Sequence, residues 1–375
     1  MCPRRLPRFS GAGTYPRYVP SGHLVYVHEG TLFATLFDLD KLEVVGQPIP
    51  ILNEIHADRA GGAKFAFSRE GALVYQKRGR SNDMILKWVR RDGEATHLEQ
   101  DPANYRDLFL SPDGKRLALT KASATSGWDV WVFDLERDVR VRLTADPGFD
   151  GFPVWTPDGQ YIAFSSSRDG PSNLYRKRAD GTGEVERLTE SPNGQTPSSL
   201  SPDGQIAFTE STSDTSQDIW TVWLDGDGPE IFLQTPFAES QASFSPDGRF
   251  IAYQSNDSGQ TQVYVMSFPE KGSRWQVSTS GGAGPVWSRA AQELFYSTDN
   301  KIMMAPYTVE DDSFRSGTPR ELASGVLLPG GSNFDVTPNG ERFVILAQAE
   351  EETEAPQLVL VQNWFQELER LVPAK

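Results

Sequence analysis

A single cysteine, Cys2, is the only thiol in these 375 residues, which excludes an intrachain disulfide and a thiolate zinc cluster. Histidine is almost as scarce. His23, His28, His56 and His97 all fall within the first hundred positions, so a Ser-His-Asp triad or a three-histidine metal centre would have to come from one sector of the molecule. No apolar run approaches the ~20 residues of a membrane-spanning helix, which argues against direct membrane insertion. Basic residues are outnumbered, 36 Lys and Arg against 51 Asp and Glu, for a net charge of -15. That balance repels phosphate backbones and anionic lipid, so nucleic acid is not an expected partner. The opening "MCPRRLPRFSGAG" carries charge without the apolar stretch of a secretory leader, and as written it reads as cytoplasmic. Walker A, HExxH, GxSxG and EF-hand patterns are also missing, so no recognised catalytic motif marks the chain as an enzyme.

What is present is enough apolar material for a core, 38% hydrophobic and 11% aromatic, and a repeat. The stretch "FSPDGRFIAYQS" has close copies along the chain. Taking the turn glycine as marker gives Gly22, Gly71, Gly114, Gly159, Gly204 and Gly248, then a degenerate Gln292, then Gly340. These lie 43 to 49 residues apart, the period of four-stranded propeller blades and longer than most helical repeats. Within one unit, "GFPVWTPDGQYIAFSSSRDGPSNLYRKRADGTGEVERLTE" reads as four short strands with three connections. In its first turn Pro157 presets φ, Asp158 can accept from local amides, and Gly159 supplies the left-handed residue. The residue before each turn is Tyr18, Phe67, Leu110, Trp155, Leu200, Phe244, Trp287 or Val336, so one face of each innermost strand packs on a neighbour.

The fold expected from this is all-β: an eight-bladed β-propeller of four-stranded antiparallel blades, forming one domain over residues 1–375. The final unit offers "NFDV", "RFVILAQ" and "QLVLVQNW" but no fourth strand, whereas "RRLPRF" at 4–9 precedes the first unit. The N-terminal strand is therefore expected to close the ring in the last blade. The tail is expected to form a short C-terminal helix over about 364–371, with Phe365, Leu368 and Leu371 as its apolar stripe.

"SFSPDGRFIAYQSNDSGQTQVYVM", "VWTPDGQYIAFSSSRDGPSNLY" and "LSPDGKRLALT" resemble the repeats of TolB-type, WD-repeat-like bacterial propellers. "YVPSGHLVYVHEGTLFATLFDLDKLEVVGQPIPIL" and "LVLVQNWFQELERLVPAK" resemble more narrowly the propeller that follows the membrane anchor of bacterial serine/threonine protein kinases. The resemblance implies an interaction or ligand-sensing module, periplasmic or otherwise extracytoplasmic in a full-length context.

Two sets of residues are candidates for function. The turn carboxylates Asp113, Asp158, Asp203 and Asp247 are spread over one rim and cannot converge on one ion; Ser21, Glu70 and Asn339 replace them elsewhere, so they are read as structural. The residues that do not repeat enter the innermost strands at the opposite, top face: Arg17, Lys64, Tyr105, Arg106, Asp107, Asp150, Phe152, Gln241, Asn333 and Asp335, with Tyr15, Gln195 and Glu239 beside them. Mixed charge with aromatics suits a recognition surface for a protein or peptide around the mouth of an axial channel. The expected function is thus a non-catalytic, monomeric binding module without a required cofactor. The alternative is a metal-assisted hydrolase or lyase with Ca2+ or another divalent cation held in the axial channel by Asp107, Asp150, Asp335 and Asn333.

Overall fold

The structure, a computed structural model, describes residues 14–28, 30–53, 55–56, 62–77, 84–123, 127–213, 215–226, 228–324, 333–349 and 358–373. Packing divides the chain into two compact units, residues 82–349 and residues 1–81 with 350–375.

In the smaller unit β1 (Thr14–Val19), β2 (His23–His28), β3 (Thr31–Asp38) and β4 (Glu43–Leu52) form an antiparallel sheet in chain order. β5 (Phe65–Phe67) and β6 (Leu73–Gln76) form a hairpin. The larger unit opens with the hairpin of β7 (Met84–Arg90) and β8 (Ala95–Ala103). Four four-stranded antiparallel sheets follow. The first is β9 (Tyr105–Leu110), β10 (Arg116–Ser123), β11 (Gly127–Asp134) and β12 (Val139–Arg142). The second is β13 (Asp150–Trp155), β14 (Tyr161–Ser166), β15 (Asn173–Arg178) and β16 (Glu186–Arg187). The third is β17 (Gly194–Leu200), β18 (Gln205–Thr212), β19 (Ser216–Trp223) and β20 (Glu230–Leu233). The fourth is β21 (Glu239–Phe244), β22 (Phe250–Ser255), β23 (Gln262–Ser267) and β24 (Arg274–Gln276). A fifth sheet, β25 (Ala283–Trp287), β26 (Glu293–Thr298), β27 (Lys301–Glu310) and β28 (Ser313–Ser316), adds β29 (Arg320–Ser324) on β27. The sixth joins β30 (Phe334–Val336) and β31 (Arg342–Gln348) to β7 and β8. β32 (Leu358–Val361) returns to β6 in the smaller unit, and α1 (Trp364–Leu371) follows it.

Among the described residues eight antiparallel sheets form, as eight turns require, and the helix falls where its apolar stripe placed it. Six of the sheets close a ring within residues 82–349. Packing runs from β9 to β13, β17, β21 and β25 in turn, and β30 returns to β9. Between the fifth and sixth sheets Phe295 meets Phe343 edge-on at 5.0 Å.

The expected closure is corrected here. The segment 4–9 lies outside the described residues, and the neighbour of β31 in the last sheet is β7, in unbroken register from Arg342 opposite Arg90 to Gln348 opposite Met84. β31 is buried from Phe343 to Ala347, so both its edges need a hydrogen-bonding neighbour; β30 supplies one and β7 the other. The "QLVLVQNW" strand, expected beside β31, pairs with β6 instead. The turn marks each hairpin, a local object, but not which hairpins share a sheet.

In the smaller unit α1 buries Trp364 and Leu368 among Val19, Val25, Leu73 and Phe65. Trp364 stacks on Phe67 at 4.9 Å and its amide donates to Gly71 O at 2.7 Å. Gly71 has φ +88 and the Phe365 ring lies 3.0 Å from where a Cβ would stand, so both backbone conformation and space call for glycine there. His23 is buried in this unit and donates from Nε2 to Val372 O at 2.7 Å, a packing role.

Candidate binding site

The repeated turn is a closed local network. In the second sheet Thr156 Oγ1 donates to Asp158 Oδ1 at 2.6 Å, the Gln160 amide donates to the same oxygen at 2.9 Å, and the Tyr161 amide donates back to Thr156 Oγ1 at 2.9 Å. These bonds hold the Asp158 carboxyl below its usual pKa, the Thr156 hydroxyl first among them. Ser111 with Asp113, Ser201 with Asp203, Ser245 with Asp247 and Thr337 with Asn339 repeat the contact.

A second repeated device lies at the other end of the innermost strands. Their registers slip between Leu119 and Thr120, Gly151 and Val154, Pro197 and Ser199, Ser240 and Ser243, and Ala283 and Val286. Asp107, Phe152, Gln241 and Gly284 take φ of 48, 55, 52 and 59 within these bulges. A bulge turns a side chain out of the strand's alternation, and non-glycine residues accept this backbone only where surrounding structure imposes it.

Between bulges and turns runs an axial cavity of about 380 Å³, lined by all six innermost strands of the ring. Trp155, Phe244 and Trp287 wall it with Pro112, Pro157, Pro202 and Pro246, and its polar groups include Gln241, Asp335 and Arg289. Side chain to backbone bonds tie neighbouring strands around it. Trp155 Nε1 donates to Phe109 O and Trp287 Nε1 to Ser243 O, each at 2.9 Å, and the Phe244 amide donates to Ser199 Oγ at 3.1 Å. Asp335 closes the circuit, accepting the amides of Leu110 at 2.8 Å and Val336 at 2.7 Å. Burial lifts its carboxyl above the usual range against the pull of Arg289 and of those two amides.

Of the residues named from sequence, Gln241 and Asp335 line this cavity. Tyr105, Arg106, Asp107, Asp150 and Phe152 precede the lining residues on β9 and β13. Arg106 lies over Trp128 at 4.7 Å and 3.6 Å from Asp107 Oδ2. That oxygen accepts no hydrogen bond among the described residues, and burial pushes the Asp107 carboxyl up to about 7, opposed by Arg106. Asp150 is fully buried and paired with Arg168 at 3.2 Å; burial raises it too, against bonds from Ser166, Arg168 and Thr144. The Asn333 carbonyl accepts the Leu346 amide at 2.8 Å. Arg17, which covers the Tyr15 ring at 4.1 Å, and Lys64, whose amide donates to His56 O, belong to the smaller unit.

Sequence reasoning missed Arg289. It stands at the turn position held by proline in the preceding four repeats and donates to Pro112 O at 3.1 Å, so its departure from the repeat was the available signal. Among the described residues no three His, Cys, Asp or Glu side chains group so as to hold a metal ion, and no helix is long and apolar enough to cross a membrane.

Residues 103–213 match the family model of the TolB beta propeller domain. An uncharacterized protein of Agrobacterium fabrum is 28% identical over 259 residues, covering 64% of this chain and 83% of that protein. The Tol-Pal system protein TolB of Wolinella succinogenes is 25% identical over 208 residues, covering 54% of this chain and 48% of that one; the chain thus spans about half of that relative. Among solved structures, a putative TolB from Agrobacterium tumefaciens superposes with a TM-score of 0.58 at 18% identity, over 71% of this chain and 98% of its own. TolB from Acinetobacter baumannii gives 0.52 at 16% identity, over 88% and 79%. The fold is a TolB-type β-propeller.

Proposed function

We propose that the six-sheet ring is a non-catalytic module that captures an extended peptide segment of a protein partner at its axial opening. The observation that carries this reading is the cavity to which every innermost strand of the ring contributes. Its aromatic and proline walls supply apolar area, and its few polar groups can fix orientation, the usual division of labour in a binding pocket. The polar residues at the strand entries, Arg106 against Trp128 and Asp107 beside it, offer mixed charge and an aromatic face for the rest of the segment. The likeness to Tol-Pal system proteins supports a protein partner in kind.

Panning a random linear peptide library on the protein and titrating the selected peptides tests the reading. Gln241→Ala and Arg106→Glu should each weaken capture about tenfold or more, equivalent to about 1.4 kcal/mol. The exchange of Asp113 and Lys115 on the turn rim should leave it unchanged. Loss with the turn-rim variant and normal capture by the other two would place recognition at the wrong end of the strands.

A further inference from the structure

Where the third strand of one sheet meets the first strand of the next, the ring repeats a set of buried polar positions. At the start of β11 stands Asp129, reached by Arg142 with Nη2 to Oδ2 at 2.9 Å. At the start of β15 stands Asn173, whose Oδ1 accepts from Arg187 at 2.7 Å. The neighbouring innermost strands begin on Asp150, held by Arg168 at 3.2 Å, and on Gln195, which donates to Glu210 at 2.7 Å. Each of these groups has a cation or an amide in place.

The junction of β19 with β21 departs from this pattern three times. Asp218 occupies the place of Asp129, but the register sets Ile231 opposite Trp220 with Phe232 bulged beside it, where Arg142 and Arg187 stand opposite Trp131 and Tyr175. Glu239 occupies the place of Asp150, and Asp257 stands where Arg168 would. Tyr253 takes the position of Phe164 and Phe208, adding a hydroxyl. A parallel bridge between Gln217 and Ala238 sets Asp218 and Glu239 side by side.

Each carboxylate has one oxygen fully engaged. Asp218 Oδ2 accepts from Thr215 Oγ1 and from Gln234 Nε2 at 3.1 Å, and Glu239 Oε1 accepts from Thr235 at 2.7 Å and Ser255 at 3.1 Å. The other oxygens, Asp218 Oδ1 and Glu239 Oε2, are buried without a hydrogen-bond partner among the described residues, and so is the Tyr253 hydroxyl. Asp218, Glu239 and Tyr253 are 0%, 2% and 0% exposed. Arg274, the basic residue on this side of the fourth sheet, is paired with Asp257, which also accepts from Tyr264 at 2.7 Å. Two neighbouring carboxylates, each with a buried oxygen that has no partner among the described residues, are costly, and a protein retains them where something else completes them.

We propose that this junction binds one divalent hard cation, Ca2+ in class, between Asp218 Oδ1 and Glu239 Oε2. Two carboxylates balance its charge. The donors are all oxygen, which disfavours zinc and the softer metals. An enclosed site leaves little space for the waters Mg2+ retains, whereas Ca2+ accepts irregular sets of carboxylate, carbonyl and neutral oxygens. The phenol oxygen of Tyr253 is one neutral donor, so the site works with fewer acidic ligands than a three-carboxylate cluster. It replaces from solution the positive charge that Arg142, Arg168 and Arg187 supply to the preceding sheets.

The test is thermal melting and calorimetric titration of EDTA-stripped full-length protein with CaCl2. Wild type should bind one Ca2+ per chain and its melting midpoint should rise to a plateau. Asp218→Asn with Glu239→Gln should lose both responses while melting above stripped wild type, because the unpaired charges are gone. Tyr253→Phe should bind more weakly, a second measure should the double variant fold poorly. Wild type that neither binds nor shifts, or a double variant that responds as wild type does, would overturn the proposal.

Discussion

Asp158 and Asp107 lie in neighbouring repeats, one in a turn and the other in an innermost strand, and experience opposite environments. The first accepts two hydrogen bonds at an exposed turn, which hold its pKa down. Its stabilising effect is therefore present above the ordinary carboxylate range and is lost as acid protonates it. The second is 5% exposed inside a strand bulge, and burial raises it to about 7. Between its unfolded pKa of about 4 and about 7, the native state binds a proton that the unfolded chain does not, so this group's contribution to stability falls as pH rises and levels off above 7. Asp107→Asn removes that slope. Melting midpoints from about pH 4.5 to about pH 8 should show the variant gaining on wild type until about pH 7 and holding a constant lead beyond it. Parallel curves would mean that Asp107 stays ionised throughout.

At the scale of strands, stability of the ring rests on the pairing of β31 with β7. Phe343 is fully buried and packs on both Phe295 and Phe334. Phe343→Ala should cost about 3–5 kcal/mol, the usual result of truncating a buried phenylalanine. Deleting residues 1–10 should leave the unfolding of the larger unit unchanged. Denaturant melts followed by near-ultraviolet circular dichroism distinguish the two, and a large loss on deletion would restore the N-terminal closure. The hairpins themselves were legible in sequence, because each is specified within a dozen residues by a short turn between apolar runs, Ser/Thr-Pro-Asp-Gly in four of them. Which hairpin completes the last sheet was not, since "MILKWVR" and "RRLPRF" can both pair as strands and the choice depends on contacts about 250 residues apart. At the candidate site the same limit held. Gln241 and Asp335 stood out as non-repeating residues, but the bulges that aim Asp107, Phe152 and Gln241 have no local sequence signature, and the lining role of Ser198 depends on five other strands.

For the larger unit as a whole, the ring turns six nearly equivalent sheets into one inequivalent place, its axis, where residues from every innermost strand and most of their turns build a pocket. Ser198 lies on that wall, half-buried, in the bulge of β17. Its position in the bulge makes it suitable for filling the cavity, and it takes no part in the bonds described between innermost strands. The most direct measurement is a calorimetric titration of a library-selected peptide into wild type and Ser198→Trp, with both proteins first shown to melt alike. If the axial cavity is the capture site, the indole should occupy it and weaken binding about tenfold or more. An unchanged affinity in a normally folded Ser198→Trp protein would contradict the assignment of function to the axis of the ring.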